Sequence, residues 1–450
     1  MNVHNSQAPA LQSSRTLAAF AIVTTLFFAW GLITSLVDPL VAAVKGIFTL
    51  TNVQAQASAS AFFLAYFVMS LPAAALVARL RAASAIILAL VVMVAGCLLM
   101  LAAANIANYW LVLLGLFTLA SGITVLQVAA NPLAAALGDP ARSHFRLVLS
   151  QTFNSFGTFL GPLIGAHLFL AGVEVKGGGA LDPAVRASAL AGIDRAYLWL
   201  SALLALLALF FFLSRRLVSQ AAPVAAAGEG GGLLAAFTSR WALFGGAAIF
   251  LYVGAEVSIG TQMALFLNSD GVWGGSDAPF GVPLVGWLMG SDGVPGVSLQ
   301  EAGKAVALYW GGAMVGRAIG STLLTRMRAD RLLAAFTAVA AAMCVYVVVV
   351  GGVSAGFVAL SIGLFNSIMF PVIFTLTLER STAPAAATSG LLCTAIVGGA
   401  LVPLLVGALA DASGYTAALI LPAACYLFLC AFAVLAGKAP VRDVAALSPH

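Results

Sequence analysis

The chain has 450 residues, of which 62% are hydrophobic and only 8% charged, with a mean hydropathy of +1.08. An ordinary soluble domain carries about 25% charged residues, so this composition excludes a water-facing globular surface. The net charge of +5 does not point to nucleic acid, because the basic residues stand singly or in pairs between apolar runs, where they report orientation in a bilayer.

One crossing of a bilayer takes about 20 apolar residues. Apolar runs between glycine, proline and charge punctuation predict the first six helices at 17–44, 53–78, 84–104, 110–137, 146–171 and 194–213. The polar start of the chain, with Arg15, precedes a run too long for a cleaved signal peptide, so that run is expected to remain as the first helix. It contains Asp38-Pro39, where proline removes a backbone donor and opens the helix beside a cavity, leaving a carboxylate able to take a proton or a sodium ion. Gln127 and Asn131 lie one turn apart on one face of the fourth helix, and Gln151 and Asn154 share a face of the fifth. His167 stands alone in the fifth helix and is read as packing.

Arg215, Arg216, Pro223 and the glycine run at 228–232 mark residues 214–240 as a flexible linker, dividing the chain into 1–213, 214–240 and 241–450. The second six helices are predicted at 241–267, 302–324, 332–351, 355–378, 388–410 and 415–436. Glu256 lies in the middle of the seventh, and Asn366 in the tenth. Arg317 lies two turns from the inner end of the eighth and is expected to be a gate or helix-packing residue. The segment 268–301 carries Asp270, Asp277, Asp292 and Glu301 with Trp273 and Trp287; its acids suit an outer surface, and a structureless loop is expected there rather than a lid.

An ionisable side chain deep in a bilayer is a functional hypothesis by default, and Asp38, Glu256 and Arg317 are the three that qualify. The amides of Gln127, Asn131, Gln151, Asn154 and Asn366 offer donors and acceptors matched to sugar hydroxyls, with Trp30, Phe153, Trp310 and Phe365 as candidate lining aromatics. Asp38 and Glu256 are the candidate cation-coupling groups, and Glu256 also a substrate contact. No nucleophile constellation or phosphate-cradling loop points to an enzyme: His4 and His450 are terminal and His144 is in a loop. Cys97, Cys344, Cys393, Cys425 and Cys430 sit in apolar stretches without ligand spacing, so no metal, cofactor or disulfide framework is expected.

With the N-terminus inside, fourteen of the 20 lysines and arginines fall on the inner side and five on the outer. The expected protein is therefore multi-pass in the lipid of a cell inner membrane, with both termini cytoplasmic. An internal repeat is suggested by Pro162-Leu163 with Gly165-Ala166 against Pro403-Leu404 with Gly407-Ala408, and by Asn131-Pro132 against Asn366 and Pro371.

The stretches Gly122 to Pro132, His144 to Leu147, Ser150 to Gly157, Tyr252 to Glu256, Tyr309 to Gly312 and Gly363 to Pro371 resemble the fucose/glucose-galactose:proton symporter family of the major facilitator superfamily, glucose/galactose or N-acetylglucosamine branch. The resemblance implies an all-α integral membrane protein of the twelve-helix major facilitator fold, two six-helix bundles that rock around a midplane site. It implies uptake of a hexose such as glucose or galactose with H+ (or Na+) by a monomer; N-acetylglucosamine or fucose symport is the alternative, and efflux antiport a weaker one. Asp38 matches the family's proton-coupling aspartate of helix 1, and Gln151 and Asn154 match sugar-contacting positions of helix 5. Gln127 departs from the fucose carrier, which has a buried glutamate there, so Glu256 is the candidate second acid.

Overall fold

The computed structural model describes residues 7–80, 82–138, 143–171, 173, 181–221, 233–324, 326–383 and 385–440. His4, Arg81, Arg142, Lys176, the glycine run of the linker, Arg442 and His450 lie outside them. The regular elements among them are all helical. The first half holds α1 (Gln7–Ser35), α2 (Val37–Ile47), α3 (Asn52–Leu80), α4 (Ala82–Ile106), α5 (Tyr109–Ala136), α6 (Ser143–Phe169) and α7 (Pro183–Ala221). The second holds α8 (Arg240–Asn268), α9 (Pro283–Met289), α10 (Leu299–Leu324), α11 (Ala329–Val350), α12 (Gly352–Asn366), α13 (Met369–Arg380), α14 (Ala385–Thr394), α15 (Gly398–Ser413), α16 (Tyr415–Ala418) and α17 (Ile420–Lys438).

Among the described residues, 9 segments are long and apolar enough to cross a bilayer. The helices α3, α6 and α10, of 29, 27 and 26 residues, are also of spanning length, since each residue rises about 1.5 Å through a hydrocarbon core about 30 Å thick. Long apolar side chains such as Leu206, Leu213, Val349 and Leu405 face outward, an arrangement suited to lipid rather than water.

Two crossings are broken where proline dictates. Pro39 has no N–H for the Ser35 carbonyl, and the first crossing turns at Leu36 between α1 and α2. Pro371 likewise leaves the Ser367 carbonyl without a helical donor, splitting α12 from α13 where one helix at 355–378 was expected. Conversely, α7 runs 39 residues, well beyond the expected 194–213. Towards its ends it carries Arg186, Asp194, Arg195, Arg215 and Arg216, charges that hide a helix from hydropathy without interrupting it. The chain is therefore helical through 214–221, residues expected in the linker.

The packing repeats between halves. In the first, α1 packs on α6, α3 on α5 and α4 on α7; in the second, the corresponding crossings pair as α8 on α15, α10 on α12 and α11 on α17. The halves meet through α6 on α10 and α3 on α15, two pairs that an internal two-fold axis exchanges. We call the end of the bundle that carries the α2–α3 and α15–α16 turns the distal end, and the end where the described chain begins and finishes the proximal end.

Small residues allow the close approaches. Gly157, Gly161 and Gly165, at four-residue spacing on α6, lie directly against Phe28, Ser35 and Pro39 of the first crossing; a Cβ on any of them would collide with those neighbours. Gly312, Gly316 and Gly320 do the same for α10 against Leu364, Ser367 and Ile368. Such glycine seams let helices approach where van der Waals contact, not water exclusion, is the driving force. They also fix the rotation of α6 and α10, and hence which side chains face the other half.

The segment after α8 is not the structureless loop the sequence suggested. Trp273 is fully buried, donates its indole N–H to the Val353 carbonyl at 2.9 Å and tilts against Phe357. The Gly352 N–H donates to the Gly271 carbonyl. Ser298 and Glu301 form a reciprocal capping box at the start of α10: Glu301 Oε2 accepts from the Ser298 N–H at 2.8 Å, and Ser298 Oγ accepts from the Glu301 N–H at 3.4 Å. Glu301 Oε1 accepts from the Asp292 N–H as well, at 2.9 Å. The acids read as an exposed anionic surface are in part internal caps.

Candidate functional site

Asp38 sits one position before Pro39 in the first turn of α2 and is only 4% exposed. Its partner comes from the other half: Trp310 of α10 donates its indole N–H to Asp38 Oδ2 at 2.6 Å. Gly260 of α8 closes the site with bare backbone, since a Cβ there would lie 3.1 Å from Trp310 Cζ2 and 3.5 Å from each Asp38 carboxylate oxygen. Pro39, seated on Gly165 of α6, fixes the other side. Glu256, on α8 and half-buried, is close enough to act electrostatically on Asp38.

Arg317, two turns along α10 from Trp310, bridges the halves closer to the proximal end. Its Nη1 donates to Ser155 Oγ of α6 at 2.6 Å and to the Gln151 carbonyl at 3.4 Å. Its Nε donates at 3.4 Å to the Ser367 carbonyl, the acceptor that Pro371 strands. Glu256 lies within its electrostatic reach and faces the Tyr252 hydroxyl one turn away. A guanidinium fork is suited to several oxygen acceptors in fixed directions.

The predicted amides divide. Gln127 Nε2 donates to the Tyr66 hydroxyl at 2.9 Å, which orients its amide. One turn along the same helix, Asn131 Oδ1 is buried with no hydrogen-bond partner among the described residues, an uncommon condition for a polar atom inside a protein. Asn154 Nδ2 donates to the Phe27 carbonyl of α1 at 3.1 Å, tying α6 to α1. Asn366 is fully buried and engaged at both amide atoms: Nδ2 donates to the Tyr309 hydroxyl at 2.7 Å, and Oδ1 accepts from the Tyr426 hydroxyl at 2.8 Å. Its carbonyl accepts from the Tyr252 hydroxyl at 3.0 Å, so in this structure it organises three tyrosines. Phe153 is exposed, whereas Trp30 is buried against Phe27.

Sequence reasoning missed Tyr66, Tyr252, Tyr309, Gly260 and Gln262. The last is buried with its amide Nε2 unpartnered, beside Ser258 and Pro422. Tyrosines in apolar runs carry no periodic signal that separates a network hydroxyl from core packing. Among the described residues, no group of three or more His, Cys, Asp or Glu side chains is gathered that would hold a metal.

The distal end is sealed by contacts between halves. Asp411 of α15 caps the start of α3, accepting from the N–H groups of Asn52 at 2.8 Å and Val53 at 2.9 Å. Tyr415 accepts from Lys45 Nζ at 2.7 Å and donates to Asn52 Oδ1 at 2.7 Å. Deeper in, Thr261 donates to Gln56 Oε1 at 2.8 Å. Two helical bundles related by an internal two-fold, with a buried polar cluster at their interface, have the architecture of a secondary membrane transporter.

Comparison with known proteins agrees. The model of the Major Facilitator Superfamily matches residues 19–392, and the chain belongs to that superfamily. A "Glucose/galactose transporter" of Brucella abortus is 39% identical over 95% of this chain and 96% of that protein. The "L-fucose-proton symporter" of Escherichia coli is 32% identical, with 94% of each chain covered. A crystal structure of the E. coli fucose:proton symporter superposes with a TM-score of 0.67 at 27% identity, over 94% of this chain and 99% of that one. The nucleoside transporter NupG, with a TM-score of 0.63 at 13% identity over 95% and 100% of the two chains, shares the fold.

Proposed function

We propose that this protein takes up a hexose, of the glucose/galactose type, together with a proton by alternating access of its two halves. The observation that carries the reading is Asp38: an acid 4% exposed at the seam between halves, held by a residue of the opposite half. A group in that place is open to the distal side only when the halves part there. Gln127, Asn131, Gln151 and Asn154 on α5 and α6 supply hydroxyl-matching groups, Glu256 of α8 is the second acid, and Asn366 acts through Tyr309. Arg317 is the inter-half tie of the inward portion. The lysine and arginine distribution supports a proximal end in the cytoplasm and an inner-membrane location.

The test uses right-side-out vesicles with pH and sodium gradients imposed separately. A pH gradient should drive accumulation of glucose or galactose and a sodium gradient should not. Asp38→Asn should abolish accumulation against a gradient while exchange of labelled for unlabelled sugar survives. Concentrative uptake by Asp38→Asn would remove Asp38 as the coupling site.

A further inference from the structure

We infer that Trp310 is a positioning residue that links the proton on Asp38 to closure of the distal end, an inference that rests on Asp38 being the coupling site. The indole N–H is a donor with no acceptor function. Against Asp38 Oδ2 at 2.6 Å its bond to a carboxylate is charge-assisted and about twice as strong as one to the carbonyl oxygen of a protonated acid, and it offers no acceptor to that acid's O–H. The third wall of the site, Gly260, brings no side chain to do so. Glu256 of α8 is near enough to act on Asp38 electrostatically, and both a second carboxylate and burial disfavour a negative charge there. The Trp310 donor is therefore the contact in this site that favours Asp38 without its proton.

The contact joins residues of opposite halves, so it is made when they close distally and broken when they part. Trp310 is also held in place by its own half. Its ring stands edge-on to Tyr309 at 5.1 Å and 77°, and the Tyr309 hydroxyl is fixed by Asn366 Nδ2 at 2.7 Å and by donation to the Glu256 carbonyl at 3.2 Å. When the distal end opens, the indole leaves with α10 and Asp38 is free to bind a proton from that side. On closure the donor returns, and the proton passes to water on the proximal side, leaving the carboxylate on the indole N–H. Return of the empty carrier breaks this contact again and exposes the carboxylate to the distal side.

The experiment separates net transport from exchange. Trp310→Phe keeps a ring and deletes the donor. Its proton-driven net uptake should fall roughly 10- to 150-fold, the worth of a hydrogen bond to a charged group, while counterflow of labelled sugar, which needs no proton release, stays within about twofold. Gly260→Ala, whose Cβ would press on the Trp310 ring at 3.1 Å, should give the same split with the indole intact. In an Asp38→Asn background, Trp310→Phe should change counterflow no further. Wild-type net uptake by Trp310→Phe, or equal loss of net uptake and counterflow in both single variants, would overturn the inference. Concentrative uptake by Asp38→Asn would instead sink the coupling assignment on which it stands.

Discussion

Single residues set the chemistry of this interface chiefly through what they lack. Pro371 cannot donate, so the Ser367 carbonyl is left for Arg317; Asn131 Oδ1 has no partner among the described residues. Leaving a buried acceptor unpaired costs about 1–3 kcal/mol, a cost the sugar-bound state can recover. Asn131→Ala is therefore expected to leave the unfolding midpoint of the sugar-free protein unchanged or raised, and to weaken hexose affinity roughly 5- to 150-fold. Isothermal titration giving wild-type affinity would take Asn131 out of the site. At this scale the sequence was informative where a residue type is anomalous: Asp38, Glu256 and Arg317 stand out because ionisable groups are rare in apolar runs. It was silent where meaning lies in a pairing. Trp310 and Asp38 are 272 positions apart, and Trp310 read as a lining aromatic. Asn366 reads as a free site amide, since nothing in its neighbourhood announces the hydroxyls of Tyr309 and Tyr426 that engage it.

Helices were legible because apolar runs of spanning length leave few alternatives, and their ends were legible only where proline or glycine marks them. The charged ends of α7 and the break at Pro371 show the limit, since hydropathy measures solvent preference and not helix continuity. The segment after α8 shows a different one. Ser298-Leu299-Gln300-Glu301 is a capping-box pattern in plain view, passed over because the acids were counted as surface charge. The cap changes what truncation should do. Glu301 is 2% exposed and accepts from two backbone N–H groups and one hydroxyl, and Trp273 is packed on Gly356 of α12. Glu301→Ala should lower stability by about 1–3 kcal/mol, the cost of stranding buried donors, while hexose affinity at temperatures below the transition is retained. Replacing 270–298 by a Gly-Ser linker removes Trp273 as well and should lower it further. An unchanged thermal midpoint in detergent for both variants would mean that this ordered segment contributes nothing to the second half.

At the scale of the whole molecule, the two-fold repeat explains why a seam exists at all. The exchange of α6 on α10 with α3 on α15 places equivalent contacts on both sides of one axis, so the two halves can rock against each other along this seam and open either end without unpacking a bundle. The distal contacts must then be temporary. Asp411 on the α3 N-terminus combines hydrogen bonds with a favourable charge at the positive end of a helix, and Lys45, Tyr415 and Asn52 form a chain beside it; both join polar groups that water can satisfy when the halves separate. If opening here belongs to the cycle, a short covalent tie across the seam must stop every mode of transport. Cysteines placed at Asn52 and Tyr415, joined by a short bifunctional thiosulfonate reagent, should abolish both net uptake and counterflow, with recovery on reduction. The matched control lies at the same end within one half: Asn105 donates to Asp194 at 2.8 Å between α4 and α7, and a tie between cysteines there should leave transport largely intact. A tie between 52 and 415 that leaves counterflow at its uncross-linked rate would show that the halves do not part at this end, and alternating access by rocking at this seam would be wrong.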